Sequence, residues 1–547
     1  MKKTLAVLLV LAMLLGITGA VVADDEWITL RVETFDRNVT GLDVTNCWQL
    51  HYAQEHFGDP NHIKLQFVSY SRWDEHTLLT NDLQGGTACD ICPTYNGPVQ
   101  QCIDDEGIWQ LDELLDQYGP NLKAFLGDVL DFGRQDHDGD GVKEQWFIPA
   151  RRISVANVGN FIREDWLKAL NMEKPTDIES FTAFLRAAKA AKLGGDNGVP
   201  FAFSIFAQDP MFNVRRITDA WVDFSQVTEE DWVANSANPE MLPGAKEGFR
   251  WLNTLYNEGL LPETFALTNN DAANDTALIM GYNGFFSQQP DQPWRTDKNL
   301  QIELAKNVDG GRWVTVNPFK NDSLGGKTLH DVYAANGLKI IIPKTTDEKT
   351  AIAAIKYLDW MAIPENMFAM QNGTEGINYE GISEEFGIPY GVKSADQVPD
   401  ENKMHAGDIC FIVNGLYYGS DEKNAAALAL PFAGFEKDVQ DSYVDALTDA
   451  WTQISFSVNI QAQTDYGDTI KSAQGKFLAD VVSAAPDKFD EVFDAGIQAI
   501  LRSGADKMIE EFRQAYKDGN WRGTFPGCGW RCGGRGCASC CWEAWCF

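Results

Sequence analysis

The sharpest chemical signal is the run Asp136-His137-Asp138-Gly139-Asp140-Gly141-Val142-Lys143-Glu144. Carboxylates at alternate positions can wrap a hard cation, because such ions prefer oxygen donors and glycine permits the sharp turn. On the spacing of an EF-hand loop, Asp136, Asp138 and Asp140 take the first, third and fifth positions. Val142 offers its carbonyl, and Glu144 takes the ninth. Position twelve, where a bidentate glutamate belongs, is Phe147. A structural calcium ion is the expected cofactor; a solvated acidic turn is the alternative. Cys89 and Cys92 form a C-x-x-C. A redox pair needs its first cysteine at a helix start, whereas this one lies along an apolar stretch that ends at Pro93. Buried small residues, or pairing with Cys102 or Cys47, are expected instead. Six of the eleven cysteines crowd a Gly-, Trp- and Arg-rich tail at 526–547. Cys537 and Cys540 there have zinc-ligand spacing, but no second such pair accompanies them. A disordered extension is expected.

Nucleophilic and phosphate chemistry has no motif. There is no G-x-S-x-G, no H-E-x-x-H and no phosphate-cradling glycine loop, and histidine is scarce at seven. Paired carboxylates for glycoside hydrolysis exist by number alone among 79 acidic residues. The net charge of −34 repels phosphates, which argues against a nucleic-acid partner. Aromatic residues make up 12%. Beyond filling the core, exposed Trp and Tyr suit the C–H faces of sugar rings.

The elements that must place these groups alternate at first. Ile28, Leu30, Val32 and Thr34 share one face of a strand. Ile63, Leu65, Phe67 and Ser69 do the same, and Ala88–Cys92 reads as a short buried strand. Helices are predicted over 43–55 and 74–83, and from about Pro98. That β-α-β-α-β-α order predicts a mostly parallel sheet covered by helices. Ligands bind such sheets at the carboxyl ends of the strands, so Trp73, Tyr95 and Asn96 are the first candidate contacts for a small polar ligand. A helical middle follows, with a capping box at Thr176 and Glu179. Strand character returns at Leu338–Ile342, then a helix over 347–361. Two helices broken at Gly504 fill 486–517.

Lys2 and Lys3, the apolar run Leu5–Leu15 and Ala20-Val21-Val22-Ala23 read as a signal peptide cut after Ala23. With no cysteine at that point, the mature protein is expected to be exported, periplasmic or extracellular, and not lipid-anchored. Its length exceeds one compact core, so two lobes are expected.

Several strings, in order along the chain, resemble the extracellular solute-binding proteins of carbohydrate ABC importers, the superfamily of maltose, oligosaccharide and alginate binders. They are Phe161-Ile162-Arg163-Glu164-Asp165-Trp166-Leu167, the helix end Leu255-Tyr256-Asn257-Glu258-Gly259-Leu260, Leu358-Asp359-Trp360, and Gly373-Thr374-Glu375-Gly376-Ile377-Asn378-Tyr379. The resemblance implies an α/β, two-lobed periplasmic-binding-protein (type II) fold with a ligand cleft between the lobes. It implies one lobe from 24–152 plus 327–368 and a second from 153–326 plus 369–525. It adds Tyr282, Asn283, Trp294, Tyr333 and Glu375 as ligand contacts; separately, the planar forks of Arg151 and Arg152 suit an acidic ligand, with a surface salt bridge as the alternative. The implied function is capture of a sugar or oligosaccharide by hinge closure and delivery to an ABC transporter permease, by a monomer that is not an enzyme. The alternatives are a non-transport sensor or adhesin, and an exported polysaccharide-active enzyme.

Overall fold

The computed structural model describes residues 27–527, apart from Asn96, 207–208, Asn213, 268–270, 296–298, 394–396, Pro431 and Ala433. The expected signal peptide and the cysteine-rich tail from Cys528 onward lie outside the described residues.

The first lobe grows from β1 (Ile28–Asp36), β2 (Ile63–Ser71) and β3 (Cys92–Thr94). β1 and β2 pair in parallel from Ile28↔Ile63 to Asp36↔Ser71. A parallel bridge, Val32↔Ile91, carries the sheet on toward β3. β3 pairs antiparallel with the strand Asn336–Ile341, which pairs in turn with β6 (Ile148–Arg152). The short strand Val413–Asn414 closes the far edge, parallel to β6. β3 runs through Pro93 rather than stopping there: Pro93 sits opposite Ile340. Both faces of β1 are covered, so Leu30, Val32, Glu33, Thr34 and Phe35 are all buried, as parallel sheets between helices require. The helix Glu348–Met361 packs on β1, its start capped by the Asp347 carboxylate accepting from Thr350 N–H at 3.0 Å.

Between β3 and β6 the Asp-rich run is a β-hairpin. β4 (Arg134–Gln135) pairs antiparallel with β5 (Glu144–Gln145), and the acidic residues form the connecting loop. Paired strands, not two helices, bracket the acidic loop, so the motif is not an EF-hand.

The second lobe is built on β7 (Gly159–Arg163), flanked antiparallel by β8 (Phe285–Gln288) and β9 (Trp313–Thr315). Helices Ile178–Ala190, Ala245–Asn257 and Gln461–Ser483 share its main core with Phe181, Phe201, Phe249 and Phe285. The capping box sits one position later than the spacing suggested. Asp177, not Thr176, is the cap, and its carboxylate accepts from Ser180 N–H at 2.8 Å.

Packing moves the expected lobe boundaries. Met367, Met370 and Ile409–Val413 join the core of Leu30, Val32 and Leu338, so the first lobe continues past 368 to Asn414. The segment expected to start that return at 327 instead pairs with second-lobe elements: the strand His330–Val332 lies parallel to Ala450–Thr452. The chain therefore passes between lobes three times, at 153–158, 333–335 and 415–420. The crossings lie side by side. Arg152 N–H donates to Ala335 O (2.8 Å), Tyr333 N–H to Val155 O (2.9 Å) and Ile153 N–H to Asn414 O (3.1 Å).

Candidate ligand-binding cleft

β1, β2 and β3 end at one edge of the first lobe, beside the crossings, because parallel strands aim their carboxyl ends the same way. Arg72 N–H donates to the Asp36 carbonyl at 2.9 Å, which ties the end of β2 to that of β1. The next residue, Trp73, is 74% exposed, far more than a Trp in a core tolerates. The Tyr95 ring stacks on Phe35 (6.0 Å between centroids), and the Arg72 guanidinium lies 4.1 Å above the same ring. The Tyr95 hydroxyl accepts from Asn414 Nδ2 at 2.6 Å, which joins the carboxyl edge to the strand that leads into the third crossing. At the second crossing, Arg152 stacks over Tyr333 at 4.5 Å. Burial and the Asp408 carboxylate raise the Tyr95 pKa against the fields of Arg72, Arg37 and Arg152, so it stays a neutral phenol. The structure thus gathers Trp73, Tyr95 and Tyr333 at one edge. Exposed ring faces among hydrogen-bonding groups are the ingredients of a carbohydrate site.

The remaining candidates fall elsewhere. Asn96 lies outside the described residues. Tyr282 and Asn283 precede β8, which runs antiparallel to β7, so they sit at the Arg163 end, away from the crossings. Asn283 is 3% exposed, donates to Val199 O at 2.8 Å and serves the core there. Trp294 is buried edge-on against Phe161 at 5.6 Å in a cluster with Phe286 and Trp313. Glu375 is exposed in a glycine turn and bridges to Tyr379. Strand direction thus keeps Tyr282 and Asn283 from the crossings, whereas Trp294 follows β8 at its crossing end but is buried in the core. Arg151 is committed to structure, donating to Phe125 O and Leu126 O, both at 2.7 Å.

Sequence reasoning missed Arg72, Asn414 and the pair Arg37–Asp408, a bidentate ion pair across 371 positions. Asn414-Gly415-Leu416-Tyr417-Tyr418 following the apolar Phe411–Val413 was a usable signal: a buried strand ending in polar and aromatic residues. Nothing local marks a partner 371 positions away.

The second-lobe side of the hinge is a buried polar network. Asp331 accepts from Asn157 (2.9 Å) and Gln453 (2.6 Å) and forms an ion pair with Arg216 (2.8 Å). Burial opposes its ionisation, but Arg216 and Gln453 prevail and hold the Asp331 pKa below its usual value. Burial and Arg216 push His330 down to about 4, so it is neutral.

In the hairpin loop, carboxylate oxygens of Asp136, Asp138 and Asp140 lie within 4.8 Å of one another. Each also accepts a backbone N–H of the loop, from Gly139 and Gly141 to Asp136, from Asp140 to Asp138 and from Val142 to Asp140. Glu144 stands outside this converging set, on β5, with one buried oxygen that has no partner among the described residues. All five body cysteines are free thiols, four of them buried, so Cys89 and Cys92 are the buried small residues of the first alternative and do not pair with Cys102 or Cys47. Burial pushes Cys89 up to about 12 and Cys102 to about 11, which keeps both as inert thiols.

Two lobes, three hydrogen-bonded crossings and a cleft edge lined by ring faces define a two-lobed binding protein of type II. The chain belongs to the bacterial extracellular solute-binding proteins, whose family model matches residues 52–378. Curated proteins give no match. Among solved structures it is similar to the alginate-binding protein AlgQ2 without calcium ion, at 18% identity over 90% of this chain and 98% of that one, TM-score 0.57. It is also similar to an HMO-binding, ABC-transporter-associated solute-binding protein of Bifidobacterium longum infantis, at 15% identity over 90% and 99%, TM-score 0.61. A third is an EF-hand mutant of the Streptococcus pneumoniae ABC-transporter substrate-binding protein FusA with fructo-nystose, at 15% identity over 90% and 100%, TM-score 0.53. At these identities the likeness is one of fold.

Proposed function

We propose that the protein captures an oligosaccharide between its lobes and delivers it to the membrane permease of an ABC importer. The observation that carries this is Trp73, exposed beside Tyr95 and Tyr333 at the carboxyl edge that borders the hinge. A sugar ring packs its C–H face on Trp73, while Asn414 and the Tyr95 and Tyr333 hydroxyls pair with its hydroxyls. Ligand bound across the cleft favours the closed arrangement, because it contacts both lobes only there. Binding energy then goes into closure and no bond is broken. The alginate-binding, HMO-binding and fructo-nystose-bound proteins of the same fold support the sugar. An extracytoplasmic location fits the family description. Among the described residues, no helix is long and apolar enough to cross a membrane.

Calcium suits the hairpin loop by the chemistry of its donors. Asp136, Asp138 and Asp140 would hold it, with the Val142 carbonyl and Glu144 as the expected further ligands. The ion would neutralise the converging carboxylates and lock the hairpin, away from the cleft.

Titration of the protein with maltose-type, fructan, milk-type and uronate oligosaccharides, followed by tryptophan fluorescence and calorimetry, tests the function. Saturable binding without turnover on long incubation is expected. Release of shorter sugars would overturn the reading in favour of an enzyme.

A further inference from the structure

We infer that the cleft takes an anionic oligosaccharide, and that Arg72 and Arg152 hold the carboxylate or sulfate of one of its sugars beside the ring of Tyr95. This rests on the oligosaccharide reading above and adds the charge of the cargo.

The argument is one of unmatched charge. The chain carries 79 acidic and 45 basic residues, so a cation on this protein finds a carboxylate easily. Arg37 is bound by Asp408, Arg216 by Asp331 and Arg215 by Asp219. Arg72 and Arg152 differ. Among the described residues neither meets a carboxylate. Arg72 stacks on Tyr95 at 4.1 Å and reaches Phe35 and Trp73 at 5.4 and 6.0 Å, and its Nε is buried without a hydrogen-bond partner. Arg152 stacks on Tyr333 at 4.5 Å and gives its Nε only to the Asn336 carbonyl at 3.3 Å. Asn414, which lies opposite Arg152 in the strand pairing, bonds the hydroxyl of the Tyr95 ring that Arg72 covers, so the two guanidinium groups share one neighbourhood, beside the already paired Arg37 and Asp408. Asp209 is the further carboxylate whose field reaches Tyr333, and it is also under the influence of Arg216 and Lys471.

A neutral sugar gives no reason to keep two half-buried cations together without counter-charge, which costs free energy in the empty protein. An oxyanion removes that cost. Guanidinium groups already oriented by ring stacking offer their remaining N–H donors to a planar carboxylate or a sulfate, and these charge-assisted bonds are the stronger kind. The rings beside them serve the sugar that carries the anion.

The test is calorimetric titration of the whole protein at 50 and 300 mM NaCl with five probes. These are tetragalacturonate, tetramannuronate, a sulfated chondroitin tetrasaccharide, maltotetraose and lacto-N-tetraose. Binding of a charged probe is expected, weakened by salt and weakened about tenfold or more in each of Arg72→Gln and Arg152→Gln. Arg72→Lys should recover part of the loss, with thermal melts confirming that the variants are folded. The carboxylated and sulfated probes separate the two sources of charge. If a neutral probe binds best, or charged binding ignores both glutamine variants, the inference falls while the oligosaccharide reading stands. If none of the five binds, both fall together.

Discussion

The two sides of the cleft solve opposite problems with similar residues. On the first-lobe side, Trp73 is exposed at the strand end, and Arg72 stacks on Tyr95 without meeting a carboxylate among the described residues. On the second-lobe side, Arg216, Asn157 and Gln453 all converge on the buried Asp331 carboxylate. The difference separates recognition from construction. On the proposed function, the first set is kept for a ligand, whereas the second is drawn together around one buried carboxylate.

The most severe way to break this contrast is Asp331→Ala. It strands Arg216 without its counter-charge, and losing one partner of a buried pair costs about 3–5 kcal/mol. Urea unfolding should show a fall of that size; a change below about 1 kcal/mol would mean the network is not structural. Trp73→Ala should do the reverse. Stability should stay within about 0.5 kcal/mol, while sugar affinity drops by about 2 kcal/mol, as for an aromatic hot spot. Equal loss of stability would make Trp73 a core residue.

A subtler probe lies within the second lobe. Burial raises Glu240 from 4.5 to about 7, despite the bond it accepts from Gln474 at 3.1 Å. The folded state then holds a proton that the unfolded state releases, so this group's contribution to stability falls as pH rises from 4.5 to 7. Glu240→Gln should flatten that slope in thermal melts taken across the range. An unchanged slope would show that Glu240 does not titrate there. The smallest effect belongs to the hairpin. A chelator should lower the melting temperature by a few degrees, and Asp138→Asn should abolish the response while leaving sugar binding intact.

Much of the first lobe was legible because its signals are local. The alternation at Ile28–Phe35 and Ile63–Ser69, and the helix over 347–361, each depend on residues a few positions apart. The same local reading found Trp73 and Tyr95 as residues that follow strands. The family resemblance, in contrast, fell short where strand direction decides. Tyr282 and Asn283 sit in an aromatic-rich segment like a cleft lining, yet the antiparallel run of β8 places them at its far end. It failed again at the lobe boundary, because the apolar Ile409–Val413 could serve either core and only packing assigns it to the first. The capping box slipped by one residue because Thr176 and Asp177 are both competent caps, and the backbone chose Asp177.

The three crossings have a further mechanical consequence. Joined edge to edge by the Arg152–Ala335, Tyr333–Val155 and Ile153–Asn414 hydrogen bonds, they form a ribbon rather than three separate threads. A ribbon folds readily across its width and resists being wrung about its length. The lobes are thereby restricted to something close to a single swing, and each closing brings the same two rims into register. Whatever docks on the shut protein meets one repeatable outline, with the cargo's identity hidden inside it.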